Sequence, residues 1–381
     1  MNKDSQINDN YKDSNSLSTE VGDTELFNVW ADEYGALYSK DKERLLKVPE
    51  EIEEYTILTG TKIICNNAFR GCVKMKSVII SDSVMEIGRF AFASCNSLTS
   101  VVIPNHTKSI GDGGFANCTS LQKIHLSDSV QRIGGCAFIG CKSMICIVLP
   151  NNIKMIEDGL LYGCASLRFA MIPQKVEKIG HFAFGGCENL TSVLLSEKLI
   201  HIKESAFHGC VKLTSISIPD TVKEIEEFAF KNCFLEKLNI GRGVVTVAKS
   251  AFEECCVISL SLNCKCIDTW FNDKLSIQNL HIGENVEMIV DYAFAGCSGL
   301  ISLHIPANVT TIGKEAFANC RNLKDVDFCN CHVSIGEGAF SGCTEITYIY
   351  IPQGSRNYFE KMLSGLKTKL IEKCEESELP F

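Results

Sequence analysis

Nowhere in the 381 residues is there a run approaching the roughly 18 consecutive apolar residues of a membrane helix. The first residues, Met1 to Asn10, likewise lack the apolar stretch of an export signal, so no membrane span is expected and the expected address is the cytoplasm. Basic clusters are missing too. With 37 Lys and Arg against 46 Asp and Glu, the formal net charge is −9, and no basic stripe exists to neutralise phosphates, which argues against a nucleic-acid partner. A glycine-rich phosphate loop, a serine nucleophile elbow and a His-Glu-x-x-His pair are also absent. No catalytic residue, cofactor or resident metal is therefore expected.

The chain is rich in cysteine and in regularity. Its 21 cysteines would suggest a disulfide scaffold in a short secreted protein, but in a long chain without an export signal most are expected to be thiols. Twelve of them obey a repeat. Phe69, Phe92, Phe115, Phe138, Leu161, Phe184, Phe207 and Phe230 follow one another at intervals of 23 residues. Phe252 comes after 22, Phe271 after 19, and Phe294, Phe317 and Phe340 resume the interval of 23, which makes thirteen units. Three residues beyond each of these positions lies a cysteine, from Cys72 and Cys95 to Cys320 and Cys343, except after Phe271, where Lys274 stands.

The second half of each unit alternates apolar and polar residues, as in Leu98, Val101 and Ile103, and so predicts a short strand. Pro104, Pro150, Pro173, Pro219, Pro306 and Pro352 close such strands, since proline has no amide to donate. In the first half, Ile87, Ala91 and Cys95 are spaced as on one face of a helix, which predicts a brief helix or 3₁₀ turn. One unit cannot bury its apolar side alone, whereas stacked units with strands about 4.8 Å apart turn each apolar position into a core ladder.

The unit Ile-Gly-x-x-Ala-Phe-x-x-Cys-x-x-Leu, followed by a strand and Pro, resembles the BspA-like leucine-rich repeat family from about Thr61 to Pro352. The resemblance implies a right-handed α/β, mostly β, solenoid shaped as a horseshoe or curved rod, with a parallel sheet, about thirteen repeats and a cap at each end. It also implies binding or adhesion and no enzyme activity. The expected divisions are an acidic disordered tail over residues 1–25, a hairpin-like cap over 26–60, the solenoid over 61–352, and a capping helix and tail over 353–381. In that last segment Ser355 is placed to cap a helix whose stripe Tyr358, Phe359, Met362, Leu363, Leu366 and Leu370 covers the last rung or docks a partner helix.

Residues flanking the core positions of each strand form two outward columns. Val148, Phe169, Met171 and Leu194 make an apolar patch there, either a contact for a protein partner or a surface covered by another part of the chain. Farther along, His281, His304, Asp327 and Tyr350 share a column beside Asp325 and Tyr348. Metal binding by the histidines and a carboxylate is one reading and a triad-like arrangement with Ser302 another, but a polar and aromatic contact strip is preferred. The register break gathers Cys255, Cys256, Cys264 and Cys266, a set that is either a zinc site or compact core filler. The expected function is a monomeric, non-catalytic scaffold that binds a protein partner through its sheet face. The alternative is a cell-surface adhesin or host-interaction protein.

Overall fold

In the strand Ser100–Val102 only Val101 is buried, and the same exposed-buried-exposed order recurs in Lys123–His125, Cys146–Val148 and Phe169–Met171. The alternation in the sequence is thus the alternation of core and solvent. The computed structural model describes residues 18–22, 24–271, 273–274 and 276–373, and the chain divides into two units, Met1–Ala137 and Phe138–Phe381. Most of the expected acidic tail lies outside the described residues.

The N-terminal unit begins with the antiparallel strands Val29–Ala31, Leu37–Ser39 and Arg44–Lys47. Its sheet then continues in parallel through Ile63–Ile64, Glu86–Ile87, Ser109–Ile110 and Arg132–Ile133. The C-terminal unit is a parallel β-solenoid with two kinds of strand. Longer ones run from Cys146–Val148 through Asn279–Ile282 in one seven-stranded sheet, and Ser302–Ile305, Asp325–Phe328, Tyr348–Ile351 and Leu370–Glu372 form another. Two-residue strands such as Lys178–Ile179 and His201–Ile202 pair separately.

These short strands, and the turns after them, stand where a helix or 3₁₀ turn was expected. The helical spacing of Ile87, Ala91 and Cys95 misleads because left-handed residues recur every few positions: Phe90, Ser94, Phe182, Ser205, Phe228 and Asn232 all have φ between 52° and 63°. A helix cannot pass through such residues. Amides in these turns bond to the next rung instead: Phe92 donates to the Gly114 carbonyl at 2.7 Å and Phe184 to that of Ala206 at 2.8 Å. This close approach explains the glycine that follows the isoleucine in six of the rungs, Gly88, Gly111, Gly134, Gly180, Gly313 and Gly336. A Cβ on Gly180 would lie 2.4 Å from Asp158 Oδ1 and 2.7 Å from the Asp158 nitrogen.

The repeated phenylalanines stack. Ring centroids of Phe69 and Phe92 lie 4.5 Å apart, and those of Phe184, Phe207, Phe230 and Phe252 lie 5.2–5.3 Å from one to the next, with nearly parallel planes. Cysteine thiols run beside them as donors to the phenylalanine carbonyl of the preceding rung: Cys95 to Phe69, Cys210 to Phe184 and Cys320 to Phe294, at 3.2–3.3 Å. Lys274, which replaces a cysteine, sends its ammonium to the Phe252 carbonyl at 2.7 Å, so this acceptor keeps a side-chain donor beside the Cys255 amide.

At the register break the strands lengthen. Deleting one residue from the Cys-x-x-Leu turn lets the chain run straight, and Phe234–Ile240 and Cys256–Leu262 become seven-residue strands that pair from Phe234 and Cys256 onward. At the C-terminal end the helix Arg356–Met362 buries Phe359 against Phe328, centroids 4.9 Å apart. Leu370 belongs to a strand and not to this helix, and the Ser355 hydroxyl donates to the Pro352 carbonyl and caps no amide.

Phe207→Ala, in the middle of a stack, is expected to lower the unfolding free energy by about 3–5 kcal/mol, read as a fall in the urea midpoint, because the cavity has neighbours on both sides. Burial pushes several ladder thiols up, Cys187 and Cys297 to about 12. They are therefore expected to resist a maleimide until denaturant opens the chain. Prompt labelling of Cys187 or Cys210 in native protein would contradict this.

Candidate binding face and a histidine–aspartate–cysteine cluster

The apolar patch expected from the outward columns is assembled by strand register. Val148 pairs with Met171 and Met171 with Leu194, while Phe169 sits two residues before Met171 on the middle strand. Between them, Ile147, Ala170 and Val193 point into the core. The patch is uncovered: Val148 is 69% exposed, Leu194 52%, Met171 47% and Phe169 46%. In the N-terminal unit Ile79 and Val102, at the corresponding repeat position, are exposed in the same way, although they were not singled out from the sequence.

The second expected strip is rearranged. Register aligns His304 with Asp327 and Asp327 with Tyr350, and Asp325 with Tyr348. His281 lies on Asn279–Ile282, a strand of the neighbouring sheet, and lines a groove of about 760 Å³ together with His304 and Asp327. Tyr348 is exposed and its ring is 6.1 Å from that of Tyr350. Asp327, read from the sequence as a solvent-facing member of the column, is only 6% exposed. Its carboxylate accepts a 2.9 Å hydrogen bond from His304 Nδ1 on one side and pairs with the Lys373 ammonium on the other. The last strand, Leu370–Glu372, brings Lys373 to this position.

Cys329 completes the cluster, its Sγ 3.8 Å from His304 Nε2 and 3.6 Å from Lys373 Nζ. Neither Cys329 nor Lys373 was expected from the sequence. One signal was available for the cysteine: Cys329 occupies the strand-closing position held by proline in Pro306 and Pro352. Its amide donates to the Ile305 carbonyl at 3.0 Å, a bond that proline could not make.

The electrostatics are mutual. Hydrogen bonds with Asp327 and Cys329 raise the His304 imidazole to about 10, against the effect of burial. Burial would push Asp327 up, but the bonds from His304 and Lys373 outweigh it and hold the carboxyl below its ordinary range. The Cys329 thiol is lowered first by His304, with burial opposing.

Donor atoms of His304, Asp327 and Cys329 lie within 4.8 Å of one another, the only such group among the described residues. The arrangement is nevertheless protonic. One ring nitrogen faces the carboxylate and the other the thiol, and the Lys373 ammonium occupies the remaining carboxylate oxygen, so a cation would have to displace both partners. Cys255, Cys256, Cys264 and Cys266 do not converge. Cys255 and Cys264 are buried, Cys266 is exposed, and the set forms no metal-sized group among the described residues. No helix among those residues is long and apolar enough to cross a membrane.

A family model described as the BspA type leucine rich repeat region matches residues 49–168, 154–269 and 265–377. Comparison with curated proteins gave no match. Among solved structures, a leucine-rich repeat protein from Bacteroides ovatus ATCC 8483 is 23% identical, covers 91% of this chain and 98% of its own, and superposes with a TM-score of 0.55. A leucine rich cell surface protein from Faecalibacterium prausnitzii A2-165 is also 23% identical, with coverage of 88% and 97% and a TM-score of 0.43. The first likeness supports the solenoid fold.

The pH dependence of the cluster follows from its two shifts. The folded value of His304 lies above its ordinary 6.5, so its contribution to stability is complete below that pH and is lost as pH rises through about 10. The value for Asp327 is lowered from 3.8, so its contribution is complete above that pH and is lost as pH falls through the lowered value. Asp327→Asn is therefore expected to cost about 1–3 kcal/mol at neutral pH, less than a fully buried pair because His304 is half exposed. Urea titrations should show the gap to wild type narrowing above about pH 10. A constant gap would refute the assignment.

Proposed function

Because the chain belongs to the BspA-type leucine-rich repeat family, we propose that it is a non-catalytic, monomeric scaffold that binds a protein partner through the exposed face of its longer strands. The observation that carries this reading is the in-register apolar patch of Val148, Phe169, Met171 and Leu194. Side chains on three hydrogen-bonded strands form a surface whose backbone is fixed, so a partner burying it loses little conformational freedom. Tyr348, Asp325, Tyr350, His304 and His281 form a second, polar and aromatic contact zone in the same unit, of the kind enriched at interfaces.

The buried thiols that donate to backbone carbonyls, such as Cys95, Cys210 and Cys320, support a compartment that keeps cysteines reduced, and we read this as the cytoplasm. The net charge of −9 further favours a protein over a nucleic-acid partner.

The test is affinity capture from native lysate with wild type, with Phe169→Lys/Met171→Lys and with Tyr348→Ala. The lysine pair changes exposed side chains and is expected to leave the unfolding free energy within about 0.5 kcal/mol of wild type. It is expected to lose a protein that wild type captures, whereas Tyr348→Ala weakens the same capture less. If both variants retain every protein captured by wild type, the sheet face is not the binding surface.

A further inference from the structure

The cysteines of this protein occupy several chemical environments, of which the buried ladder is the commonest among the described residues. Ladder thiols such as Cys187 and Cys210 are buried, donate to a backbone carbonyl of the preceding rung, Leu161 and Phe184 respectively, and are pushed toward the neutral form by burial. Cys329 is different in each respect. It is half-buried at the edge of the groove, has two nitrogen bases or cations as neighbours, and stands at a strand end where the units before and after it place Pro306 and Pro352.

The geometry around Cys329 is directional. Asp327, itself buried, holds His304 through Nδ1, which turns Nε2 toward Sγ. Lys373 sits against the same sulfur and against Asp327. Asp325, Tyr348 and Tyr350 are the other ionisable groups on the strands beside Asp327. An imidazolium and an ammonium flanking one sulfur favour the thiolate, and a thiolate open to a groove is a nucleophile. The groove also selects. Lys237, His281, His304 and Lys373 line it, serines and asparagines such as Ser259, Ser261 and Asn279 supply hydrogen-bonding groups, and its one acid, Asp327, is already paired.

We propose that Cys329 is a nucleophilic thiolate, activated by the Asp327–His304 pair and Lys373, that undergoes exchange with anionic low-molecular-weight disulfides entering the groove. The Cys329 sulfur attacks one sulfur of the disulfide and a new S–S bond forms. The old S–S bond breaks, and its electron pair leaves on the departing thiolate, which is protonated from solvent. The Cys329 sulfur is oxidised and the departing sulfur reduced, so no further oxidant is required. A second thiol reverses the step. The product is a stoichiometric mixed disulfide that places an anionic group over the polar contact zone, and this modification is independent of whether the apolar patch binds a partner.

The experiment exposes the native full chain to glutathione disulfide, and separately to the cationic disulfide cystamine, at about pH 6, where ordinary thiols are almost wholly protonated. Site-resolved mass spectrometry follows Cys329, with the exposed Cys146 and Cys266 as internal references. Cys329 is expected to acquire glutathione about tenfold faster or more than either reference, and its preference for glutathione disulfide over cystamine is expected to exceed that of Cys146. His304→Gln is expected to bring Cys329 down to the reference rate. Should that variant fail to fold, the wild-type rate profile decides: the Cys329 rate must reach half its plateau at lower pH than those of Cys146 and Cys266. A Cys329 that reacts no faster than the references at this pH, or that shows no preference for the anionic disulfide, overturns the proposal.

Discussion

An amide in the turn of one rung must find its acceptor in the next, and the remaining features of the C-terminal unit arrange themselves around that bond. Phe184 N–H donates to Ala206, and Phe207 N–H to Ala229, each at 2.8 Å. At Gly180 this spacing brings the backbones so close that a Cβ would meet Asp158, and it sets the phenylalanine rings at stacking distance. The carbonyl of Phe184 accepts from the Cys187 amide in its own turn and from the Cys210 thiol of the following rung. The cysteine at this position therefore serves as a small apolar group that can also donate weakly.

The fold was legible because each of these requirements falls on a residue with few substitutes. Phenylalanine, cysteine and glycine recur in register, and the strand half of the unit alternates as a strand must. What misled was the turn half. Ile87, Ala91 and Cys95 lie four apart, yet Phe90 and Ser94 between them are left-handed, a conformation that glycine would announce and phenylalanine or serine does not. The two-residue strands, such as Glu86–Ile87, are too short for any periodicity to reveal.

Of the two contact zones, the apolar one was readable because its residues share a repeat position and strand register preserves it. The polar one was readable only as a column. Asp327 leaves the solvent because Lys373, 46 positions onward, returns to pair with it (373 − 327), and no repeat links the two. Cys329 was masked by abundance, since one more cysteine among 21 draws no notice until its position in the repeat is compared with Pro306 and Pro352. A regular scaffold thus hides its chemistry in its departures from regularity.

Lys274 shows what such a scaffold conserves. Where the cysteine is lost, a longer side chain spans the gap and supplies a proton to the same kind of carbonyl. The demand is for a donor at a point in space and not for a particular residue at a point in the chain. Because every rung both receives from and gives to its neighbours, length can change without damage only by whole rungs, which join new faces identical to the old. Smaller changes survive where a turn can be straightened, as before Phe234–Ile240. Tandem duplication and unequal recombination supply changes of that size, so the physics of one hydrogen bond makes the gene elastic in steps of a repeat.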